Sequence, residues 1–407
     1  MSFNIALTGL DAANDDLSVT SNNLANVATV GFKGSRSEFA DLFASTQTGV
    51  SATAIGNGVA VSEVAQQFTQ GNVETTGNNL DLAVSGNGFF VLSNNGALNY
   101  TRDGQFQLDS QNQVVTASGE NLQVYPPLAN GGFNTGGLSD LTLATSESAP
   151  QATTTAQLTA NLPADATAPA DAFSLTDPNS YNNTTSLTVY DSLGAAHTAS
   201  LYFIKSATAN DWSAQLAVDG TEVGTPQALN YSSSGALTSP ANGQIAFPNY
   251  APTTGAAAMG MTFDFSSTTQ YGGSFGVTAV QQNGYTTGQL TGINISTSGV
   301  VQAQYTNGNS VNLGQIALAN FPNSQGLEQL GNATWAATND SGAPVNGIAG
   351  SSGFGSIQSG SLEESNVDTT SALVDMITAE RDFQANSQMI QTQNQVTQSI
   401  IQMAQNG

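Results

Sequence analysis

Apolar residues recur with a heptad spacing at the start of the chain. Their separations alternate between three and four positions, which places them on one narrow face of an α-helix. Gly9 weakens the pattern, because a glycine costs about 1 kcal/mol in a helix interior, and Gly31 beyond its end suits a helix C-terminus. We therefore predict an N-terminal amphipathic helix whose seam is formed by Phe3, Ala6, Leu10, Ala13, Leu17, Thr20, Leu24 and Val27.

A second, thinner apolar face runs along the C-terminal end of the chain. It predicts a helix from about 368 to 405, about 55 Å long, with Asp368 as its N-cap. This helix buries too little surface alone, so we expect the two terminal helices to pair as a coiled coil. The pattern leaves open whether the pairing is an intramolecular hairpin or joins neighbouring copies. The apolar positions are Leu373, Met376, Phe383, Ile390 and Ile401, and the polar ones are Glu380, Ser387, Asn394 and Thr397.

Between the helices the pattern is typical of β-structure. Asn-Gly and Asp-Gly pairs, which favour tight hairpins because both residues tolerate positive φ, separate short apolar or alternating runs. Short strands with regular turns predict antiparallel sandwich- or barrel-like domains. We therefore expect a multidomain, mainly β fold with helical ends. The clearest runs are 89–92, 187–190, 199–204 and 315–319.

A stretch rich in Ala, Thr and Pro at 146–172 marks a domain boundary. The region that follows has its own aromatic residues and is interpreted as an insertion into a second β domain that resumes near Gly288. Four parts are predicted: a terminal helical polymerisation domain (1–32 with 362–407), a connecting segment (33–70), an inner β domain (71–147 with 289–361) and an inserted outer β domain (148–288).

Charge and composition narrow the functional classes. The chain has 5 Lys and Arg against 29 Asp and Glu, a formal net charge of −24. This balance argues against nucleic acid or an anionic membrane as a partner, since both bind clustered Lys and Arg. Cysteine is absent, which excludes disulfides and thiolate sites. No run has the apolar length of a membrane helix, and the N-terminus lacks a basic region, so we expect no membrane insertion and no cleaved secretory signal.

Several segments resemble the signatures of the flagellar rod and hook axial protein family. The first is SNNLANVATVGFK at 21–33, and together the segments cover about 1–125 and 290–407. The other matching segments are 80–90, 100–106, 314–321, 326–327, 364–368 and 380–387. The motif positions in the first segment are Asn23, Asn26, Gly31, Phe32 and Lys33.

The middle of the chain resembles the inserted domain of the hook members of this family. The run TVYDSLG at 188–194 is followed by His197 and Trp212. The resemblance implies a structural subunit, not an enzyme, that self-assembles into a curved helical tube and acts as a universal joint between rod and filament. The alternative within the family is a distal rod protein, which is similar at both ends but shorter and lacks the insertion.

The resemblance also implies sites, partners and a location. Phe39 and Phe43 are similar to the short motif that meets the export gate, and a helical turn packed on a core is the alternative. The implied location is the hook and basal body at the cell exterior, reached without a cleaved signal. The implied partners are further copies of the chain, the distal rod protein, the hook cap, the hook–filament junction protein, the hook-length ruler and the export apparatus. The residues expected to form the assembly layer are Leu10, Leu17, Leu24 and Val27 with Leu373, Met376, Phe383, Ile390 and Ile401.

Two other classes are weighed against this interpretation. His197 could act as a general base, but no nucleophile motif lies nearby, and Asp191 six residues away is a common spacing. A calcium-binding adhesin would suit the acidic residues, but no calcium-loop motif is present. We therefore expect no catalytic residue, no metal and no cofactor.

Overall fold

The computed structural model describes residues 2–42, 56–143 and 147–406 of the 407-residue chain. Helix α1 (Ser2–Ala25) lies at one end of the sequence and α2 (Thr369–Asn406) at the other. The predicted mainly β fold with helical ends is confirmed. The N-cap of α2 is Asp368, whose Oδ1 accepts the Ser371 N–H at 2.7 Å.

The first group of strands runs from 35 to 140. These strands are β1 (Ser35–Asp41), β2 (Val59–Gln66), β3 (Val73–Thr75), β4 (Leu82–Ser85), β5 (Phe89–Asn94), β6 (Ala97–Thr101), β7 (Gln107–Leu108), β8 (Val114–Val115), β9 (Asn121–Tyr125) and β10 (Ser139–Asp140).

The second group runs from 155 to 282. These strands are β11 (Thr155–Pro163), β12 (Asn183–Tyr190), β13 (Ala196–Lys205), β14 (Asp211–Val218), β15 (Thr221–Tyr231), β16 (Leu237–Ser239), β17 (Gln244–Ala246), β18 (Thr262–Asp264), β19 (Thr269–Tyr271) and β20 (Gly276–Gln282).

The last group runs from 290 to 363 and includes a short 3-10 helix, Ser324–Gly326. These strands are β21 (Leu290–Ile295), β22 (Val300–Tyr305), β23 (Ser310–Asn320), β24 (Glu328–Gly331), β25 (Thr334–Ala336), β26 (Val345–Ile348), β27 (Ser356–Ser359) and β28 (Ser361–Glu363).

The elements form two compact units. Unit 1 comprises 1–144, 293–303 and 311–407, and unit 2 comprises 145–292 and 304–310. The division falls within β21 and β22. The four-part domain scheme drawn from the sequence stays a prediction.

Unit 1 is built on a sheet in which β23, β9, β5, β6, β25 and β24 are neighbours. Strand β5 shows why the run 89–92 is continuously apolar. Phe90 and Leu92 join one hydrophobic cluster, while Phe89 and Val91, on the opposite face, join another. Because both faces of this strand are covered, alternation of polar and apolar residues is absent.

Unit 2 contains two sheets that share one core. Strands β12 to β16 form an antiparallel meander, and β17, β18, β11 and β19 form a second sheet with β20 paired to β11. The pairings of β11 with β18 and β19 are parallel, which differs from the purely antiparallel arrangement expected. Trp212 and Phe203 of the meander share a hydrophobic core with Phe263 on β18 and with Phe265, which directly follows β18.

Two features near the N-terminus differ from the sequence prediction. Helix α1 ends at Ala25, so Gly31 is not its C-cap. The Asn26 N–H still donates to the Asn22 carbonyl at 3.2 Å, but the next N–H, that of Val27, donates to the Leu24 carbonyl at 3.4 Å, three residues back, so the helix tightens and ends here. The segment 33–70, expected only as a connection, contains the antiparallel pair β1 and β2.

Candidate assembly site

The two terminal helices pack against each other in antiparallel orientation. A Cβ placed on Gly9 would lie 2.8 Å from Oδ1 of Asn386 in the middle of α2. At the other end, a Cβ on Gly34, beyond α1, would lie 3.0 Å from Val367, just before α2. The start of one helix is therefore opposite the later part of the other. The pairing that the sequence left open is an intramolecular contact in this structure.

Small side chains line the contact between the helices. Ala6, Ala13 and Thr20 of α1 are buried and are spaced seven residues apart. On α2, Ala372 and Ala379 are buried with the same spacing. Small residues at every seventh position let the two backbones approach closely, as Gly9 also does.

Most of the predicted assembly residues lie at the flanks of this seam. Leu10, Leu17, Leu24 and Val27 are half-buried on or just after α1, and Met376, Phe383 and Ile390 are half-buried on α2.

Two of the predicted assembly residues lie away from the intramolecular contact, and their role in assembly stays a prediction. Leu373 and Ile401 are 43% and 50% exposed. Ala372 and Ala379 occupy the inner positions instead, one residue before the predicted Leu373 and Glu380. The sequence analysis missed them because it followed large apolar residues, whereas closely spaced helices favour small ones.

The C-terminal part of α2, which extends past α1, exposes further apolar side chains. Helix α2 has 38 residues and α1 has 24, and every α2 side chain described from 394 to 403 is exposed. No charged residue occurs between 383 and 406. Exposed apolar groups that are grouped on one element mark a contact surface. We name the set Val396, Ile400, Ile401 and Met403 the terminal stripe; these side chains are 46%, 56%, 50% and 68% exposed.

The asparagines of the first motif secure the chain as it leaves α1. Asn23 accepts the N–H of Ser35 at 2.9 Å and donates to the Ser35 carbonyl at 2.6 Å. Asn366, before α2, accepts the Gly34 N–H at 2.8 Å and donates to the Gln67 carbonyl at 2.6 Å. The motif therefore closes a loop that connects both helices to the base of the β1–β2 pair.

Gly31 lets its own backbone pack closely against the backbone at Asp103, and it does not end a helix. Its φ is +67°, and a Cβ there would lie 2.4 Å from the backbone N of Asp103. Its N–H donates to the Glu363 carbonyl at 2.8 Å, and the carbonyl of Phe32 accepts from Asn366 at 3.4 Å. A side chain at this position would collide with the backbone whatever rotamer it adopted.

A buried ion cluster connects the N-terminal motif, the sheet and the segment before α2. Nζ of Lys33 lies 2.6 Å from Oε1 of Glu363, and Nη1 of Arg102 lies 3.1 Å from Oε2 of the same carboxylate. The side chains of Lys33, Arg102 and Glu363 are 1%, 6% and 0% exposed. Glu363 also accepts the Gly71 N–H at 2.9 Å.

Backbone carbonyls complete the cluster. Lys33 donates to Thr69 at 2.8 Å, and Arg102 donates to Gly86 at 2.7 Å and to Val84 at 3.3 Å. Burial lowers the pKa of Lys33 and of Arg102, and the Glu363 carboxylate opposes both shifts. Among the described residues Nε of Arg102 has no hydrogen-bond partner. The cluster holds two cations and one anion, so a net positive charge is buried.

The candidate export motif is only partly described. Phe39 lies on β1, not on a helical turn, and is 45% exposed. It lines a cleft of about 500 Å³ together with residues of α1 and α2. Phe43 lies outside the described residues.

Among the described residues there is neither a metal-binding cluster nor a helix able to span a membrane. The described part of the chain contains no group of three or more His, Asp or Glu side chains arranged to hold a metal ion. No described helix combines the length and hydropathy needed to cross a membrane.

Four family models match the chain in sequence order. They are described as the flagella basal body rod protein (3–33), the flagellar hook protein FlgE/F/G D1 domain (83–176), the flagellar basal body protein FlaE D2 domain (161–285) and the flagellar basal body rod FlgEFG protein C-terminal region (358–403).

Whole-chain similarity links the sequence to proteins named flagellar hook protein FlgE. The Salmonella typhimurium LT2 protein is 38% identical over 415 residues, covering 99% of this chain and 100% of that protein. The Escherichia coli K12 protein is 38% identical over 416 residues with the same coverage, and the Treponema pallidum protein is 30% identical over 461 residues, covering 98% of each. In fold, the chain is similar to the crystal structure of Helicobacter pylori FlgE2, with a TM-score of 0.52 at 13% identity, covering 70% of this chain and 99% of that one.

Proposed function

This chain belongs to the flagellar hook protein family, and we propose that its terminal helices provide the contacts through which copies of it assemble. As a member of that family it is a structural subunit of the bacterial flagellar hook, a homopolymer. A polymer of this kind grows when a contact between two different surfaces does not close into a ring. The proposal therefore needs a surface that one copy leaves uncovered.

The terminal stripe is the observation that carries the proposal. It lies on the part of α2 that extends past α1, and its four apolar side chains are between 46% and 68% exposed. Fully burying an exposed apolar side chain contributes about 1.5–3 kcal/mol, so covering side chains that are already about half-buried contributes about half of that each. A neighbouring copy that covers the stripe would add several such contributions per subunit, while Leu10, Phe383 and Ile390 at the flanks of the intramolecular seam would adjust around it.

The finer points of partnership and location rest on family membership. We propose that the hook subunit contacts the distal rod protein, the hook cap, the hook–filament junction protein, the hook-length ruler and the export apparatus. We further propose that it is exported without a cleaved signal and acts without catalysis, metal or cofactor. Phe39 is exposed on β1, and this accessibility is what supports its proposed role in the export motif.

The test compares polymerisation of the full chain with a variant of the stripe. Val396→Asn/Ile400→Asn removes two side chains that are 46% and 56% exposed, so the variant should keep the wild-type melting temperature. Gln395→Asn/Thr397→Asn is the matched control, because it places the same residue type at neighbouring exposed positions. Sedimentation and negative-stain images of each protein are recorded over a concentration series.

We expect the wild type and the control to form curved tubes that pellet, and the stripe variant to remain in the supernatant. Polymerisation of the stripe variant at the wild-type concentration would refute the role of the stripe. Straight tubes from the wild type would instead favour the distal rod alternative.

A further inference from the structure

The single histidine of the chain lies between two aspartates in unit 2. Nδ1 of His197 is 2.6 Å from Oδ2 of Asp219, and Nε2 is 3.2 Å from Oδ2 of Asp191. The His197 side chain is 6% exposed. A carboxylate only accepts hydrogen bonds, so both contacts are satisfied when both ring nitrogens carry protons, which requires the imidazolium form.

The two aspartates differ in how firmly they are held. Asp191 is fully buried and accepts the Thr254 hydroxyl at 2.8 Å and the N–H groups of Leu193 and Ala195 at 2.9 Å each. Burial opposes its ionisation, but the hydrogen bonds from Thr254, His197 and the backbone outweigh burial and lower the pKa of Asp191 to about 2. Asp191 therefore stays ionised and in place at neutral pH.

Asp219 is less constrained. Its side chain is 40% exposed. It accepts the Thr198 N–H at 2.9 Å and the Tyr250 hydroxyl at 3.4 Å. Without a protonated partner at His197, this carboxylate can turn to solvent, whereas Asp191 cannot.

The aspartates belong to turns that hold a third segment. Loop 250–259 is closed at its ends by a bridge between Tyr250 and Met259. Within it, Thr254 donates to Asp191, and the Ala257 N–H donates to Oγ of Ser192 at 2.9 Å. One imidazole therefore connects the 191–195 turn, the turn at Asp219 and loop 250–259.

We propose that His197, Asp191 and Asp219 form a proton-dependent latch that holds loop 250–259 in place. Loss of the ring proton leaves one nitrogen lone pair facing a carboxylate, and Asp219, the exposed partner, is the one that moves. Tyr250 then loses its acceptor, so the Tyr250 end of the loop opens while Thr254 stays bonded to Asp191 and the core strands stay intact.

The electrostatics agree with this geometry. The titratable groups that face the ring are Asp191, Asp219 and Tyr250. Burial lowers the pKa of His197, but the hydrogen bonds and charges of Asp219 and Asp191 outweigh it and raise the pKa above 6.5. A raised pKa in the folded state means that the stabilisation is fully present below about pH 6.5, the unfolded value, and is lost as the pH rises through the folded pKa.

The first test is an NMR titration of the full chain. Because there is one histidine, its ring protons need no residue assignment. The expected midpoint lies above 6.5, and Asp219→Asn should lower it, since one of the two anions is removed. Asp171→Asn, an exposed aspartate of the same unit, is the control and should leave the midpoint unchanged. A wild-type midpoint at or below 6.5, or equal midpoints for wild type and Asp219→Asn, would overturn the latch.

The second test is hydrogen exchange of the same full chain between pH 6 and pH 9.5. After correction for intrinsic base catalysis, the amides of Tyr250 and Met259, which pair across the ends of the loop, should lose at least tenfold protection across the histidine midpoint. The β14 amides and the Ala257 amide, which donates to Ser192, should keep theirs. Tyr250→Phe lacks the hydroxyl and should show low loop protection already at pH 6, without disturbing the core. Constant loop protection in the wild type, or the same pH step in His197→Gln, would contradict the proposal. Neither readout depends on polymerisation, so the latch and the assembly proposal fail or stand separately.

Discussion

Glu363→Gln is the substitution that tests the buried ion cluster most directly. Glutamine keeps the shape of the side chain but replaces one carboxylate oxygen by NH2. Lys33 and Arg102 both donate to Glu363, one to each oxygen, so the amide oxygen can serve only one of them and the NH2 group faces the other. The Gly71 N–H competes for the same oxygen as Lys33.

The expected loss is large because the two cations remain buried. Removing one partner of a buried ion pair costs about 3–5 kcal/mol, since an uncompensated charge is left behind. With a urea dependence of about 2 kcal/mol per M, this corresponds to a midpoint lower by about 1.5–2.5 M. Glu364→Gln changes the neighbouring, exposed carboxylate and should stay within about 0.5 kcal/mol of the wild type.

The assay can follow each unit by its own tryptophan. The chain has 2 tryptophans: Trp335 is buried in unit 1 and Trp212 is buried in unit 2. Urea unfolding of Glu363→Gln in a Trp212→Phe background reports unit 1 alone. The Trp212 signal, recorded in a Trp335→Phe background, should keep its midpoint. The reasoning is refuted if Glu363→Gln loses no more stability than Glu364→Gln.

Two glycines, Gly31 and Gly9, lie where segments of the chain approach closely. Gly31→Ala should destabilise unit 1 by more than about 1 kcal/mol, because the new Cβ meets the backbone of Asp103 at 2.4 Å. Gly350→Ala is the control, since Gly350 has a similar positive φ but open space around it. Equal urea midpoints for the two variants would contradict the close-approach argument. Gly9→Ala should raise the helix propensity of α1, but its new Cβ should push against Asn386. Asn386→Ala should relieve this contact, so the two substitutions should be coupled in a double-mutant cycle measured by thermal unfolding. A cycle without coupling would contradict the close packing of α1 on α2.

The elements with a strong local pattern were predictable from the sequence. The heptad from Phe3 to Leu24 predicted α1, and Asp368 marked the start of α2, because both signals lie within a few turns of one helix. The run at 89–92 predicted β5 in the same way. The β1–β2 pair was missed, since neither strand alternates apolar and polar residues cleanly.

The candidate site was less accessible to sequence reasoning. Lys33 was named as a motif residue, but its partner Glu363 is 330 positions away and Arg102 is 69 positions away, and no local pattern encodes such contacts. One signal was available: the chain has only 5 basic residues, and three of them, Lys33, Arg102 and Arg381, lie in segments that resemble the family. Two of these three, Lys33 and Arg102, are buried. A scarce charge kept inside an apolar motif favours a buried, paired role.

The absence of charge along the last two-thirds of α2 has a consequence for the environment in which a hook works. Charges at a contact interact over a Debye length of about 8 Å at physiological salt, and their interaction weakens as the salt concentration rises. From 383 to 406 the helix carries only uncharged side chains: glutamine, asparagine, hydroxyl, aliphatic and methionine side chains and Phe383. A contact made through this part of the helix therefore has no charge of its own to be screened by salt. The contact that this segment makes with a neighbour should therefore depend little on the salt concentration.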